Sequence, residues 1–93
     1  MTILNDSEIQ RELKNLSGWV KLGDEIKKKF EFKNFVLAMG FVNSIALLAE
    51  RSNHHPDIDI RWNKVLLVLS THSEGGITQK DISLAKEIES FQK

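Results

Sequence analysis

The 93-residue chain carries thirteen basic and thirteen acidic side chains, three histidines, 41% apolar residues and no cysteine. That length supports a single domain, residues 1–93. The balanced charge excludes a nucleic-acid footprint, and the missing cysteine excludes disulfides, thiolate metal ligands and thiol nucleophiles. No signal peptide is evident and no apolar run reaches transmembrane length, so a soluble, cytoplasmic protein with no membrane partner is expected.

Asn5 or Asp6 can cap a first helix, in which Ile9, Leu13 and Leu16 recur at helical spacing between charges. Gly18 then releases the chain. Trp19–Leu22 and Ile26–Phe32 read as two strands around a Gly23-Asp24 turn, with Ile26, Lys28, Phe30 and Phe32 on one face. The basic run Lys27-Lys28-Lys29 is offset by Asp24, Glu25 and Glu31 and reads as a solvated strand.

Asn34 can cap a long helix from Phe35 to about Arg51, uncharged as far as Glu50. One stripe holds Phe35, Ala38, Met39, Val42, Ala46 and Ala49; another holds Leu37, Phe41, Ile45 and Leu48. A helix this apolar needs cover on more than one side. One sheet covers a single side, so helix packing or self-association is expected over the rest. Gly40 costs roughly 1 kcal/mol of helix propensity, which implies a close neighbour.

Asp57–Trp62 alternates, with Ile58, Ile60 and Trp62 on the apolar face and Trp62 read as a core aromatic. Val65–Thr71 is a second β-rich run, joined to the first by Asn63-Lys64 as a two-residue turn. Ser73–Gly76 is a loop. Thr78 caps a final helix with Asp81 in a capping-box variant, and Ile82, Ala85, Ile88 and Phe91 form its buried face. The order α-β-β-α-β-β-α describes an α+β fold, an antiparallel sheet layered with helices.

All three histidines fall in one stretch, His54-His55-Pro56 and Ser70-Thr71-His72. Imidazoles exchange protons near neutral pH without special surroundings, so convergence there points to acid–base chemistry. With Asn63-Lys64 as the loop, cross-strand partners have numbers summing to about 127: Trp62 with Val65, Ile60 with Leu67, Ile58 with Leu69. The same sum sets His55 opposite His72, their Cβ atoms about 4.5–5.5 Å apart, if Pro56 does not splay the strands. His54 would face the other way in a regular strand. A kinked turn, with Asn53 left-handed, would let both reach one pocket, and Glu50 can orient an imidazole there. A metal held by Glu50, His54 and His72 is the rival arrangement.

Ala49-Glu50, His54-His55-Pro56, Trp62-Asn63-Lys64-Val65, Ser70-Thr71-His72 and Thr78-x-x-Asp81-Ile82-x-Leu84-Ala85 together resemble the pterin-4a-carbinolamine dehydratase family. Phe32-x-x-Phe35, Gly40-Phe41 and Gly18-Trp19 extend the resemblance over most of the chain beyond the first helix. It implies dehydration of 4a-hydroxytetrahydropterin to quinonoid dihydropterin and water, within the recycling of tetrahydrobiopterin used by aromatic amino acid hydroxylases. It also implies a four-stranded antiparallel sheet with three helices, a homodimer or homotetramer, and neither metal nor organic cofactor.

The family's catalytic histidines match His54, His55 and His72, its acidic helpers match Glu50 and Asp81, and Trp19 matches an aromatic near the pterin site. Of the three, His55 and His72 are expected to be the main proton donor and acceptor, and His54 to bind the pterin or assist. Some members carry aspartate where this chain has Asn53, a substrate-binding or orienting position that keeps its hydrogen bonding here without the charge. The resemblance also implies an alternative. Some members act as dimerisation cofactors of a homeodomain transcription factor through a helix surface, for which Leu37, Phe41 and Leu48 are candidates. A metal-dependent hydrolase using the histidines is the remaining reading.

Overall fold

The computed structural model describes residues 2–92. Three helices and one four-stranded antiparallel sheet follow the expected order. Helix α1 (Asp6–Leu13) opens on a reciprocal capping box: Glu8 N–H donates to Asn5 Oδ1 at 2.9 Å, and Asn5 N–H donates to Glu8 Oε1 at 2.8 Å. The helix stops at Leu13, short of Leu16. Leu16 is buried all the same, held in a turn by its N–H to the Leu13 carbonyl.

Strands β1 (Val20–Leu22) and β2 (Glu25–Glu31) form a hairpin around Gly23-Asp24. Strands β3 (Asp57–Arg61) and β4 (Lys64–Leu69) form a second, and the sheet runs β1-β2-β4-β3. Helix α2 (Phe35–Ser52) links the hairpins, and α3 (Gln79–Gln92) closes the chain. One sheet face buries Ile26, Phe30, Val65, Leu67 and Leu69 in a core shared with Ala38, Phe41 and Ile45 of α2 and Ile82, Ala85 and Ile88 of α3. Lys28 lies on that inner face, where its ammonium reaches the Ser17 carbonyl and the Glu89 carboxylate, both at 2.8 Å.

The second hairpin departs from the expected register. Arg61 faces Lys64, Ile60 faces Val65 and Ile58 faces Leu67, so the loop is Trp62-Asn63 and not Asn63-Lys64. Asn63 explains the change. Its Nδ2 donates to the Phe32 carbonyl at 2.7 Å and its carbonyl accepts from Phe32 N–H at 2.9 Å, which buries Asn63 at the end of β2. Trp62 must then turn the corner at φ +51°, a conformation that costs a non-glycine residue roughly 1–2 kcal/mol. Trp62 is 65% exposed and is not a core aromatic. Ile58 and Ile60 also stay over a third exposed, because β3 is the sheet edge.

The long helix is capped as expected, with Leu37 N–H donating to Asn34 Oδ1. Ala38, Phe41, Ile45 and Ala49 are buried, whereas Val36 and Leu47 are 76% and 74% exposed. Among the described residues nothing lies within 4 Å of the position a Gly40 Cβ would take, so the expected close neighbour is not within the chain. By length and composition α2 is apolar enough to cross a membrane, contrary to the sequence expectation. Its inward stripe is instead committed to the sheet. In α3, Phe91 is exposed and Leu84 takes a buried place beside Ile82, Ala85 and Ile88.

Replacing Ile45, fully buried between α2 and the sheet, by alanine should cost about 2–5 kcal/mol in urea denaturation. Ile60→Ala on the exposed edge should cost less than half of that.

Candidate active site

The site is built where α2 ends. Asn53 adopts the left-handed conformation at φ 52°, with its N–H on the Glu50 carbonyl and the following His54 N–H on the Ala49 carbonyl at 3.1 Å. This pattern stops a helix and reverses the chain. It gives Asn53 an observed structural task, and it sends the two adjacent imidazoles to different partners. His54 Nε2 lies 2.6 Å from Asp81 Oδ1, with the two side chains only 10% and 0% exposed. His55 Nε2 lies 2.5 Å from Glu50 Oε2 in a largely exposed pair.

Asp81 stands in the first turn of α3 and does two jobs. Its Oδ2 accepts Thr78 N–H at 2.9 Å, which is the helix cap the sequence indicates, and also the Thr71 hydroxyl at 2.8 Å. Its Oδ1 takes the imidazole of His54. Thr71 and Thr78 hydroxyls are 2.8 Å apart, and Thr78 Oγ1 accepts Lys80 N–H. Because Thr71 has spent its one proton on Asp81, Thr78 must donate to Thr71. Each member of this buried network is satisfied, as burial of polar groups requires.

His72 arrives by a route the sequence does not reveal. The β3–β4 ladder ends at Asp57 and Val68, and the revised register would set His55 opposite Ser70. His55 and His72 are therefore not cross-strand partners. Thr71 instead bridges to Gly76, and His72 begins a 3-10 turn, His72–Glu74, closed by Gly75 at φ 75°. His72 is exposed and directly follows Thr71, so the backbone attaches it to the Asp81 network.

Trp19 lies in a separate network. It is buried edge-on to Phe30 and its Nε1 donates to Glu89 Oε2 at 3.0 Å. No hydrogen bond joins it to the histidines among the described residues. Thr71 is the site residue that sequence reasoning missed; its place in Ser70-Thr71-His72 was the signal, but its acceptor lies ten residues away. The metal arrangement does not form: Glu50 turns to His55 and not to His54, and no three His, Asp or Glu side chains converge among the described residues.

Two histidine–carboxylate pairs of opposite exposure follow from this geometry. A carboxylate accepting from one ring nitrogen fixes the tautomer and leaves the other nitrogen for chemistry or binding. His54 also lines a cleft of about 240 Å³ with Ser52, Gln79, Lys80, Ser83, Leu84 and Glu87.

The family profile described as Pterin 4 alpha carbinolamine dehydratase matches residues 2–91. A Roseiflexus castenholzii protein, provisionally named pterin-4-alpha-carbinolamine dehydratase, is 53% identical over 94% of both chains. A Sulfolobus acidocaldarius protein with the same provisional name is 46% identical over 96% of this chain and 98% of its own. The crystal structure of a transcriptional coactivator/pterin dehydratase from Brucella melitensis matches with a TM-score of 0.92 at 38% identity, over 96% and 97% of the two chains. A pterin dehydratase-like RuBisCO assembly factor of the alpha-carboxysome matches with a TM-score of 0.64 at 18% identity, over 77% and 83%. That last likeness shows the fold alone.

Asp81→Ala would strand the Thr71 hydroxyl, the Thr78 amide and the His54 imidazole. It should cost about 3–5 kcal/mol in denaturant unfolding, whereas Glu50→Ala, which breaks an exposed pair, should cost at most about 1 kcal/mol.

Proposed function

The chain belongs to the pterin-4a-carbinolamine dehydratase family, and on that premise we propose that it dehydrates 4a-hydroxytetrahydropterin to quinonoid dihydropterin and water in tetrahydrobiopterin recycling. Histidines act as general acid and base, without metal or organic cofactor. What supports this reading is the hydrogen bond of His54 to the buried Asp81 network, with His55, paired to Glu50, next to it in the chain and His72 directly following Thr71 of that network.

The reaction needs what these residues supply. The C4a–O bond breaks as the oxygen takes a proton and leaves as water. The N5 lone pair fills the vacancy to form a C4a=N5 double bond, and N5 then gives its proton to a base. An imidazole serves each proton transfer, and a positioned group contributes typically about 10²–10⁴-fold. His55 and His72 are exposed and are assigned as donor and acceptor, with His54, nearly enclosed against Asp81, binding the pterin or assisting.

The exposed Val36 and Leu47 on the outer side of α2 favour a homodimer or homotetramer. Of the residues expected to form a protein-binding helix surface, Phe41 is buried in the core and Leu48 packs against it, while Leu37 is exposed. With Val36 and Leu47, Leu37 supports a second reading as a protein-binding cofactor, a role suggested by the coactivator name of the Brucella melitensis structure.

His55→Ala and His72→Ala should each lower dehydratase turnover by at least about 10²-fold in stopped-flow assays; turnover at the wild-type rate in both would overturn the assignment. Leu47→Asp should lower the sedimenting mass if α2 mediates self-association. An unchanged mass, with capture of a transcription-factor dimerisation helix that Leu47→Asp abolishes, would favour the second reading.

A further inference from the structure

We infer that Thr71 and Thr78 are positioning residues which, through Asp81, lock His54 in the Nε2–H tautomer and leave its Nδ1 as a hydrogen-bond acceptor. This rests on the dehydratase reading only where turnover is concerned. The rest follows from proton bookkeeping along the buried chain. Lys80 N–H donates to Thr78 Oγ1 at 3.2 Å, which occupies a lone pair of that oxygen. The Thr78 proton goes to Thr71 across 2.8 Å, and the Thr71 proton goes to Asp81 Oδ2 across 2.8 Å.

Oδ2 also accepts Thr78 N–H, a backbone donor that cannot reverse. An oxygen accepting twice has no proton of its own to give. Every hydrogen bond at Oδ2 therefore points toward Asp81, and the other oxygen, Oδ1, meets His54 at 2.6 Å; with Asp81 as the carboxylate, Oδ1 too can only accept. His54 Nε2 must supply the proton. With Asp81 and Thr78 wholly buried and Thr71 nearly so, no water competes to scramble the direction.

Nδ1 is then the ring position left over, held with a lone pair available in an imidazole that lines the cleft beside Lys80 and Gln79. For the proposed reaction this favours His54 as the acceptor of a substrate N–H. The proton donated to the departing oxygen must come from elsewhere, from His55 or His72. Neither threonine touches the pterin; both act through Asp81.

Histidine ring 15N spectra at alkaline pH, where imidazole is neutral, read the tautomer directly. Wild-type His54 should show the Nε2–H pattern. Thr71→Val and Thr78→Val remove links of the chain at nearly constant volume. With an otherwise native amide spectrum, each should shift His54 toward a tautomer mixture and lower kcat by roughly 10- to 100-fold, leaving KM little changed. Thr71→Ser, which keeps the hydroxyl, should restore both.

Native-like valine variants that keep the wild-type tautomer would overturn the inference. Should neither valine variant fold, the wild-type spectrum decides alone: a proton on Nδ1 overturns it, one on Nε2 supports it. A tautomer shift in the valine variants with no dehydration by the wild type would keep the positioning role and sink the dehydratase reading.

Discussion

The buried carboxylate of Asp81 is the constraint on which the site depends. It has no exposed surface, so its charge must be met by donors within the fold. Three donors come from three separate segments: Thr78 from the start of α3, Thr71 from two residues past the end of β4, and His54 from the reversal after α2. Removing any one would leave a buried polar group unpaired. The network thus acts as a joint, tying the end of one helix to the beginning of another and to the segment that follows β4. Side chains borne on that joint inherit its rigidity, which the proposed proton transfers over hydrogen-bond distances would require.

The division between the two adjacent histidines follows from the same joint. Asn53 reverses the chain in a left-handed conformation, so His54 turns in to Asp81 and His55 turns out to Glu50. Enclosure fixes one imidazole. The other, paired to Glu50, stays open to solvent. A pair of histidines with opposed environments suits a reaction that must both give and take a proton. On the far side of α2 lies a different demand, an apolar surface that the domain itself does not cover.

Much of this was legible in the residues. Asn34 and Asn5 announced their helices by capping chemistry, and the alternation in β3, carried across the hairpin, announced the face of β4 that meets the core. The expected hairpin register was displaced, yet the strand residues other than Trp62, which moved into the turn, stayed on their expected faces, because side chains alternate with a period of two. What could not be read locally was Asn63. Its bonds to Phe32, about thirty residues away in sequence, move the turn and force Trp62 to a positive φ that propensity alone rejects. The same limit hid Thr71 and misplaced His72, since both are positioned by contacts between segments. The capping role of Asp81 was visible, but its second oxygen, facing His54, was not.

The central claim, that a pterin sits against the Asp81 joint and its histidines, is tested most directly by mapping amide and imidazole NMR shifts during titration with a dihydropterin. The expected perturbations centre on Glu50–Asn53, His54, His55 and Thr71–Glu74. Shifts confined to another surface, such as the cleft between Lys29, Asp59, Arg61 and Lys64 on the opposite face of the sheet, would contradict it.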